Sequence, residues 1–290
     1  MKLSFIHLGF NKTGSTYLQN NLFKKTKNFY YFNNDNNFLW FYKNFVNINP
    51  HNYSKDFFLS ELNKKIKNDN NKNYSNKGKF FISDENLSGD IYSGLNSREL
   101  MLRILDTFGK VKIIIFIRNQ IDMILSIYSN YIINGGNMGI IKWIDSDQTR
   151  NGSIINKLNY FYLINDYIKY FGRENVIVYQ FEDVFKSNAS IEEFSNQLGL
   201  DVALKNKSSS YAINKGRSLV TNNILRYLNF SGYTFNQVQK FLSYKKNKSI
   251  DRNYLIEKMD NSIIVNFKNN NSKLETLLNV KLNKNYFFVF

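Results

Sequence analysis

The sequence contains no cysteine, one proline and only two histidines among its 290 residues. The absence of cysteine excludes disulfide bonds, a thiol nucleophile and a thiolate metal site. His7 and His51 are too few for a multi-histidine zinc centre, so no metal is expected. Long hydrophobic runs are also lacking. The longest aliphatic block, residues 113–117, is far too short to span a bilayer, and the expected compartment is the cytoplasm.

Acidic residues are scarce relative to basic ones. The chain has 39 Lys and Arg against 23 Asp and Glu, a formal net charge of +16. Such a charge is typical of proteins that bind nucleic acids or other polyanions. The lysines are scattered, however, and the abundance of Asn, Lys, Ile, Phe and Tyr is typical of AT-rich coding. We therefore keep a non-catalytic polyanion-binding protein as an alternative and expect the positive field to favour small anionic ligands.

Alternating strand and helix patterns predict an α/β fold with a mainly parallel sheet. A hydrophobic content of 43% is enough to bury a core. Strands are predicted at residues 5–8, 29–32, 79–83, 112–117 and 175–181. Helices are predicted at about 15–25, 36–46, 54–67, 97–108, 119–133, 154–171 and 190–198. We expect a single domain over 1–290, with a helical insertion or lid at about 33–78 and short helices after about 200.

The first strand runs into a glycine-containing turn, Gly9-Phe10-Asn11-Lys12-Thr13-Gly14-Ser15-Thr16. A phosphate-binding P-loop has two glycines five residues apart, then Lys, then Ser or Thr. This turn has the glycine spacing, but Ser15 takes the lysine position and the lysine lies inside the loop at Lys12. Backbone amides, the start of the helix and hydroxyls at Thr13, Ser15 and Thr16 can still bind a phosphate.

Two features of ATP chemistry are absent from this pattern. Lys12 is not at the position that reaches the β- and γ-phosphates. The strand at 112–117 ends in Arg118, where an Asp would hold Mg²⁺. The loop therefore indicates a phosphate site without a metal, and a P-loop small-molecule kinase remains an alternative.

The loop resembles that of sulfotransferases that use 3′-phosphoadenosine 5′-phosphosulfate. In their bacterial branch it reads His-x-Gly-x-x-Lys-Thr-Gly-Thr-Thr, and Ser15 here replaces the first Thr of the closing pair. The resemblance implies a three-layer P-loop-like fold with a central, mainly parallel sheet flanked by helices. It also implies that Lys12 stabilises the leaving phosphate. The residues implied to bind the 5′-phosphosulfate end are Asn11, Lys12, Thr13, Gly14, Ser15 and Thr16.

A second motif lies about a hundred residues later, in the order that the family shows. Arg118 ends a strand and Ser126 follows eight residues on, as in the arginine and serine with which the family binds the 3′-phosphate. Gln120 replaces the usual proline, which costs some rigidity but removes no ligand. Helical spacing puts Ser126 on the polar face that starts beside Arg118. A late pair, Lys215-Gly216, is weakly similar to a family segment that closes over the 3′-phosphate.

Sulfuryl transfer needs a group that takes the proton of the acceptor. Glu85 is the first candidate, because it follows the strand at 79–83 and because Ser83-Asp84-Glu85 is similar to the Ser-Ser-Glu segment of carbohydrate sulfotransferases. His7 is the second candidate, although a lone strand histidine is more often a satisfied core residue. The resemblance thus implies transfer of a sulfuryl group to a hydroxyl or amine, with a carbohydrate as the expected acceptor and no nucleic-acid partner.

Overall fold

The computed structural model describes residues 2–32, 37–68, 78–148, 153–202, 219–230 and 248–288. The chain divides into two compact units. The first unit comprises residues 1–90, 96–117 and 163–208, and the second comprises residues 91–95, 118–162 and 209–290.

A five-stranded sheet forms the centre of the first unit, and helices flank it. Every neighbouring pair of strands is parallel, and the order is β2-β3-β1-β4-β5. This confirms the predicted α/β class. The strands are β1 Lys2–Gly9, β2 Tyr30–Tyr31, β3 Lys79–Ser83, β4 Lys112–Ile117 and β5 Val176–Gln180.

The sequence of β4 explains its place inside the sheet. After Lys112, its five remaining residues are Ile or Phe, and all are at most 1% exposed. Such a run is typical of a parallel strand that is covered on both faces. In the neighbouring pair of strands, His7 of β1 is in register with Ser83 of β3. Because the strands are parallel, their carboxyl ends share one edge of the sheet, which is where open α/β sheets bind ligands.

Helices connect the strands of the first unit and make up most of the described second unit. Those of the first unit are α1 Ser15–Asn21, α2 Phe38–Phe41, α3 Lys55–Asn68, α4 Ser97–Phe108, most of α8 Tyr160–Phe171, α9 Phe181–Val184 and α10 Asn188–Gln197. Those of the second unit are α5 Gln120–Ile133, α6 Ile140–Gln148, α7 Ile154–Lys157, α11 Leu219–Phe230, α12 Lys248–Lys258 and α13 Asn261–Leu278.

The described part of the predicted insertion at 33–78 is well packed. Helix α2 continues as one π-helical turn, Tyr42–Val46, and α3 follows, so both predicted helices are confirmed. Phe45 and Phe58 are at most 2% exposed, and their rings lie 5.7 and 6.2 Å from the ring of Phe108 in α4. The segment is therefore well structured where it is described, whereas its role as an insertion or lid stays a prediction.

The predicted helix at 154–171 is wrong in one respect, because the structure divides it into α7 and α8. The break lies at Leu158 and Asn159. The Leu158 carbonyl accepts a hydrogen bond from Gln120, and the Asn159 side-chain oxygen accepts one from Asn270. Hydrogen bonds to these distant partners compete with the hydrogen bonds of a continuous helix. A hydrophobic stripe in the sequence cannot indicate such partners. Gly172 ends α8 with a φ of 92°, as predicted for its C-terminal cap.

The part after residue 200 contains a longer helix than the sequence indicated. Helix α13 has 18 residues and ends at Asn279, which has left-handed backbone angles. Phe267 and Leu274 are fully buried, but Asn270 and Asn271 are also buried on the same helix. These buried amides interrupt the apolar stripe in the sequence, so the pattern predicted only short helices.

Candidate functional site

The loop between β1 and α1 has an unusual backbone at Lys12. Lys12 has a φ of 71°, which is rare for a residue other than glycine. Gly14 has a φ of 88° and forms the N-terminal cap of α1. Lys12 is half-buried, whereas its neighbours Asn11 and Thr13 are buried. The loop therefore holds a cation in a fixed and strained turn at the carboxyl end of the central strand.

Gly9 is required because three polar atoms approach its Cα. A Cβ atom there would lie 2.9 Å from Ser15 Oγ, 2.9 Å from Thr13 Oγ1 and 3.3 Å from His7 Nε2. Any larger residue would push the loop away from β1. Gly9 thus permits the loop to fold back over the end of its own strand.

Gly14 is required for a second reason, namely that aromatic rings pack against it. A Cβ atom at Gly14 would lie 2.5 Å from the ring of Phe185 and 3.3 Å from that of Phe181. The Phe185 ring also meets Tyr17 of α1 edge to face, with centroids 5.6 Å apart. These rings fix the shape of the loop from the side of β5 and α9.

The three hydroxyls of the loop differ in what they can bind. Thr13 donates both its amide and its hydroxyl to the Phe10 carbonyl, at 3.2 and 2.6 Å, so this side chain shapes the turn. Ser15 Oγ is buried and has no hydrogen-bond partner among the described residues. Thr16 is exposed and lines a cavity. An anion at the loop would fit the unpaired Ser15 hydroxyl and the exposed Thr16 hydroxyl.

His7 is completely buried beneath this loop. Its Nδ1 atom shares a hydrogen bond of 2.8 Å with Ser83 Oγ, and its Nε2 atom has no hydrogen-bond partner among the described residues. Gln19 donates to the same Ser83 hydroxyl at 3.2 Å. Burial lowers the pKa of His7 to about 3, so the imidazole is neutral at neutral pH.

The buried state of His7 predicts a specific pH dependence of stability. In the unfolded chain His7 takes up a proton near its ordinary pKa of 6.5, whereas the folded imidazole does so only near pH 3. The free energy of unfolding is therefore largest above pH 6.5. As the pH falls below 6.5, it should decrease by about 1.4 kcal/mol per pH unit more than in His7→Gln. Urea unfolding of both proteins from neutral to mildly acidic pH measures this, and parallel curves would contradict it.

Glu85 begins the turn that follows β3. Asp84 caps a short 3₁₀ helix, Glu85–Ser88, and its carboxylate accepts hydrogen bonds from the Asn86 amide at 2.9 Å and the Asn86 side chain at 2.8 Å. Asp84 is 2% exposed, whereas Glu85 is half-buried. The two adjacent carboxylates therefore have different tasks: Asp84 holds the turn, and Glu85 is accessible at the sheet edge.

A cavity of about 270 Å³ in the first unit lies between the start of α1 and the turn after β3. It brings together Thr16 of α1 and Glu85 of the turn after β3, which the sequence predicted to share an edge. Amides, one cation, aromatic rings and the Asp84 carboxylate complete its wall. The residues that define its character are Thr16, Gln19, Lys24, Phe38, Glu85 and Asn86.

Arg118 belongs to the second unit, where it is paired with a carboxylate. Arg118 Nη2 lies 3.5 Å from Asp122 Oδ2, and its carbonyl accepts a 2.6 Å hydrogen bond from the Tyr160 hydroxyl. Asn119 caps α5 by accepting from the Asp122 amide at 2.9 Å. Asp122 also binds Arg252 of α12, a residue that no sequence motif indicated.

The two remaining residues of the second motif are also within the described α5. Ser126 is half-buried, one turn after Asp122 on the same face of the helix. Gln120 exchanges two hydrogen bonds, of 2.8 and 3.2 Å, with the amide of Asn271 in α13. In place of a rigid proline, the chain therefore has a buried amide pair that anchors α13. Lys215 and Gly216 lie outside the described residues.

Neither a metal cluster nor a membrane span occurs in the described part of the chain. No group of three or more His, Cys, Asp or Glu side chains is arranged to hold a metal ion there. None of the described helices is long and apolar enough to cross a membrane.

Comparison with known proteins identifies the fold. No protein-family model and no curated protein matches the sequence. A sulfotransferase from Alicyclobacillus acidocaldarius matches in structure with a TM-score of 0.55 and 14% identity, over 97% of this chain and 98% of that chain. A mouse sulfotransferase solved in complex with PAP matches with a TM-score of 0.39 and 14% identity, over 92% and 88%. The sulfotransferase domain of a Synechococcus olefin synthase matches with 0.38 and 13%, over 88% and 94%.

We base the fold assignment on the first match, since the other two TM-scores are below 0.5. The chain has a sulfotransferase-like fold, as the resemblance of its loop predicted. An identity of 14% shows the fold alone, so activity has to be argued from the site.

Proposed function

We propose that this protein is a sulfotransferase that moves a sulfuryl group from 3′-phosphoadenosine 5′-phosphosulfate to a hydroxyl or amine of an acceptor. One observation carries the proposal: a cavity of the first unit is lined by both Thr16, next to the lysine loop, and Glu85. A hydroxyl at the end of an anion-binding loop and an accessible carboxylate on one cavity suit transfer from a phosphosulfate to a hydroxyl.

The roles that we assign to the loop rest on its resemblance to the family motif and are supported by its geometry. Lys12 supplies a positive charge where negative charge develops on the departing phosphate. Ser15 and Thr16 are the hydroxyls that would bind phosphosulfate oxygens, since Thr13 already donates to Phe10. Gly14 and Asn11 contribute the backbone of the turn, whose fixed conformation avoids a cost of reorganisation when the donor binds.

Glu85 is our candidate for the general base. The acceptor oxygen attacks sulfur, the bond between sulfur and the bridging phosphate oxygen breaks, and the acceptor proton passes to the Glu85 carboxylate. His7 is the weaker candidate, because it is 0% exposed and its ring lies beneath the loop. A group that takes a proton must reach the acceptor directly or through one water molecule.

The 3′-phosphate of the donor is assigned to the second motif. Arg118 offers a planar fork of donors that suits a phosphate, and Ser126 offers a hydroxyl. The family resemblance of this motif supports the assignment. Lys215 and Gly216, which lie outside the described residues, are proposed to assist at the 3′-phosphate on the same resemblance.

A carbohydrate is the acceptor that we propose. The cavity wall combines amides, such as those of Gln19 and Asn86, with the partly exposed ring of Phe38. Polar groups that hydrogen-bond hydroxyls and an aromatic ring that packs on an apolar face suit a sugar ring. The cytoplasmic location predicted from the sequence remains part of the proposal.

Calorimetric titrations test the identity of the donor. We expect adenosine 3′,5′-bisphosphate to bind at least about tenfold more tightly than ATP with Mg²⁺, which corresponds to 1.4 kcal/mol. Binding of the bisphosphate should survive excess EDTA, because the proposed contacts come from Lys12, Arg118 and hydroxyls rather than a metal. A strict Mg²⁺ requirement for binding and activity would favour the kinase, and binding of an acidic polysaccharide alone would favour the polyanion-binding protein.

A further inference from the structure

Three charged side chains form a compact cluster in the second unit. Asp122 of α5 accepts two hydrogen bonds from Arg252 of α12, Nε to Oδ1 at 2.9 Å and Nη2 to Oδ2 at 2.7 Å. Arg118 reaches the same Oδ2 atom at 3.5 Å. The side chains of Arg118, Asp122 and Arg252 are 13%, 10% and 17% exposed, so the cluster is shielded from solvent.

Of its two arginine partners, Asp122 is bound more closely by Arg252. The contact to Arg252 is two-pronged and short, whereas the contact to Arg118 is single and long. Burial alone would raise the pKa of Asp122. The hydrogen bond from Arg252 and the charges of Arg118 and Arg252 hold that pKa well below its usual range. Asp122 is therefore ionised, and its charge is present beside Arg118 at neutral pH.

An ionised carboxylate beside Arg118 creates an electrostatic problem for a phosphate site. Arg118 and Asp122 alone sum to zero charge, whereas the cluster with Arg252 has a net charge of +1. A phosphate monoester dianion would be repelled by Asp122 if that carboxylate were not compensated. The neighbouring carboxylate of Asp251 is engaged elsewhere, since it accepts from the Leu219 amide at 3.2 Å.

We propose that Arg252 is a positioning residue that neutralises Asp122 and thereby allows Arg118 to bind the 3′-phosphate of the donor. This inference rests on the proposed function, in which Arg118 binds that phosphate. Arg252 acts through Asp122, because it donates a hydrogen bond to each of the two carboxylate oxygens. The alternative, that Arg252 only fastens α12 to α5, predicts no selective effect on a ligand with a 3′-phosphate.

The test compares adenosine 3′,5′-bisphosphate with adenosine 5′-phosphosulfate, which lacks the 3′-phosphate, by calorimetry. Arg252→Met should weaken the bisphosphate by about tenfold to a hundredfold, as expected for an uncompensated unit charge roughly 6–12 Å from the phosphate at an effective dielectric constant near 20. Its affinity for the phosphosulfate should change little. Adding Asp122→Asn to Arg252→Met removes the uncompensated charge and should restore most of the affinity for the bisphosphate.

Three further variants make the outcome decisive. Arg252→Lys keeps the charge and should bind the bisphosphate nearly as well as the wild type, even if Arg252→Met does not fold. Arg226→Met, on α11 of the same unit, is the matched control and should bind both nucleotides normally. Arg118→Lys tests the proposed function itself, because a point charge cannot replace a two-pronged contact, and should selectively lose the bisphosphate.

The results separate this inference from the proposed function. If the wild type shows no preference for the bisphosphate, or Arg118→Lys loses both nucleotides equally, the assignment of the 3′-phosphate fails. If Arg118→Lys behaves as expected but Arg252→Met binds normally, only the role of Arg252 is overturned. A double variant that binds as weakly as Arg252→Met overturns the charge compensation and indicates direct contact of Arg252 with the phosphate.

Discussion

Replacing Lys12 with alanine should lower the rate of sulfuryl transfer by ~10²–10³-fold, the usual effect of removing a preorganised contact to a developing charge. Lys12 is held at a φ of 71° by a loop that turns back over β1, so the backbone that carries it is already fixed before the reaction. The measurement is the formation of adenosine 3′,5′-bisphosphate from the donor in the presence of a panel of simple sugars.

Two variants control for the unusual backbone and for general charge. Lys12→Asn places a residue that tolerates left-handed angles in the loop, so it loses the charge without added strain and should be as impaired as Lys12→Ala. Lys25→Ala removes an exposed lysine whose ammonium group donates to Asn21 Oδ1 at 3.4 Å, and should keep normal turnover. A folded Lys12→Ala protein with nearly wild-type turnover would refute the assignment.

Replacing Glu85 with glutamine should lower turnover by ~10²–10⁴-fold, the range for a positioned acid or base. Glutamine preserves the size of the side chain but cannot accept the acceptor proton. Donor binding should be kept, because Glu85 follows β3 and the proposed donor contacts lie in other segments. Steady-state turnover and calorimetric binding of the bisphosphate together separate these two effects.

Glu61→Gln provides the matched control for loss of one carboxylate. Glu61 lies on α3 and forms a surface ion pair with Lys64 at 2.6 Å, so its replacement should leave turnover unchanged. If Glu85→Gln is fully active while His7→Ala or Asp84→Asn is inactive, the base is a different residue. Loss of donor binding in Glu85→Gln would instead show that the substitution disturbs the loop.

The central elements of the fold could be predicted with accurate boundaries. Strands β3 and β4 and helix α4 begin and end where the sequence indicated. The β-branched and aromatic run of β4 and the helical spacing in α4 are strong local signals, because burial of both strand faces or of one helix face depends on nearby residues. The sulfotransferase-like fold was also indicated locally, by the resemblance of the loop at residues 7–16 to that of sulfotransferases.

Elements that depend on distant partners could not be predicted in the same way. The break between α7 and α8 coincides with hydrogen bonds from Gln120 and Asn270 to Leu158 and Asn159. These partners lie 38 and 111 residues away in the chain. The length of α13 could not be predicted for a related reason. In the sequence, its buried asparagines look like a polar interruption of the apolar stripe.

The sequence by itself determined which chemical groups the proposed function can draw on: the lysine loop, the carboxylate after β3 and the arginine after β4. Their residue types and spacing are local properties of the chain. Only the tertiary structure decided the surroundings of each group. Burial makes His7 neutral, a bond to Phe10 occupies the Thr13 hydroxyl, and Arg252 reaches Asp122 across 130 residues of sequence. Burial and long-range pairing arise from packing, so no local pattern contains them.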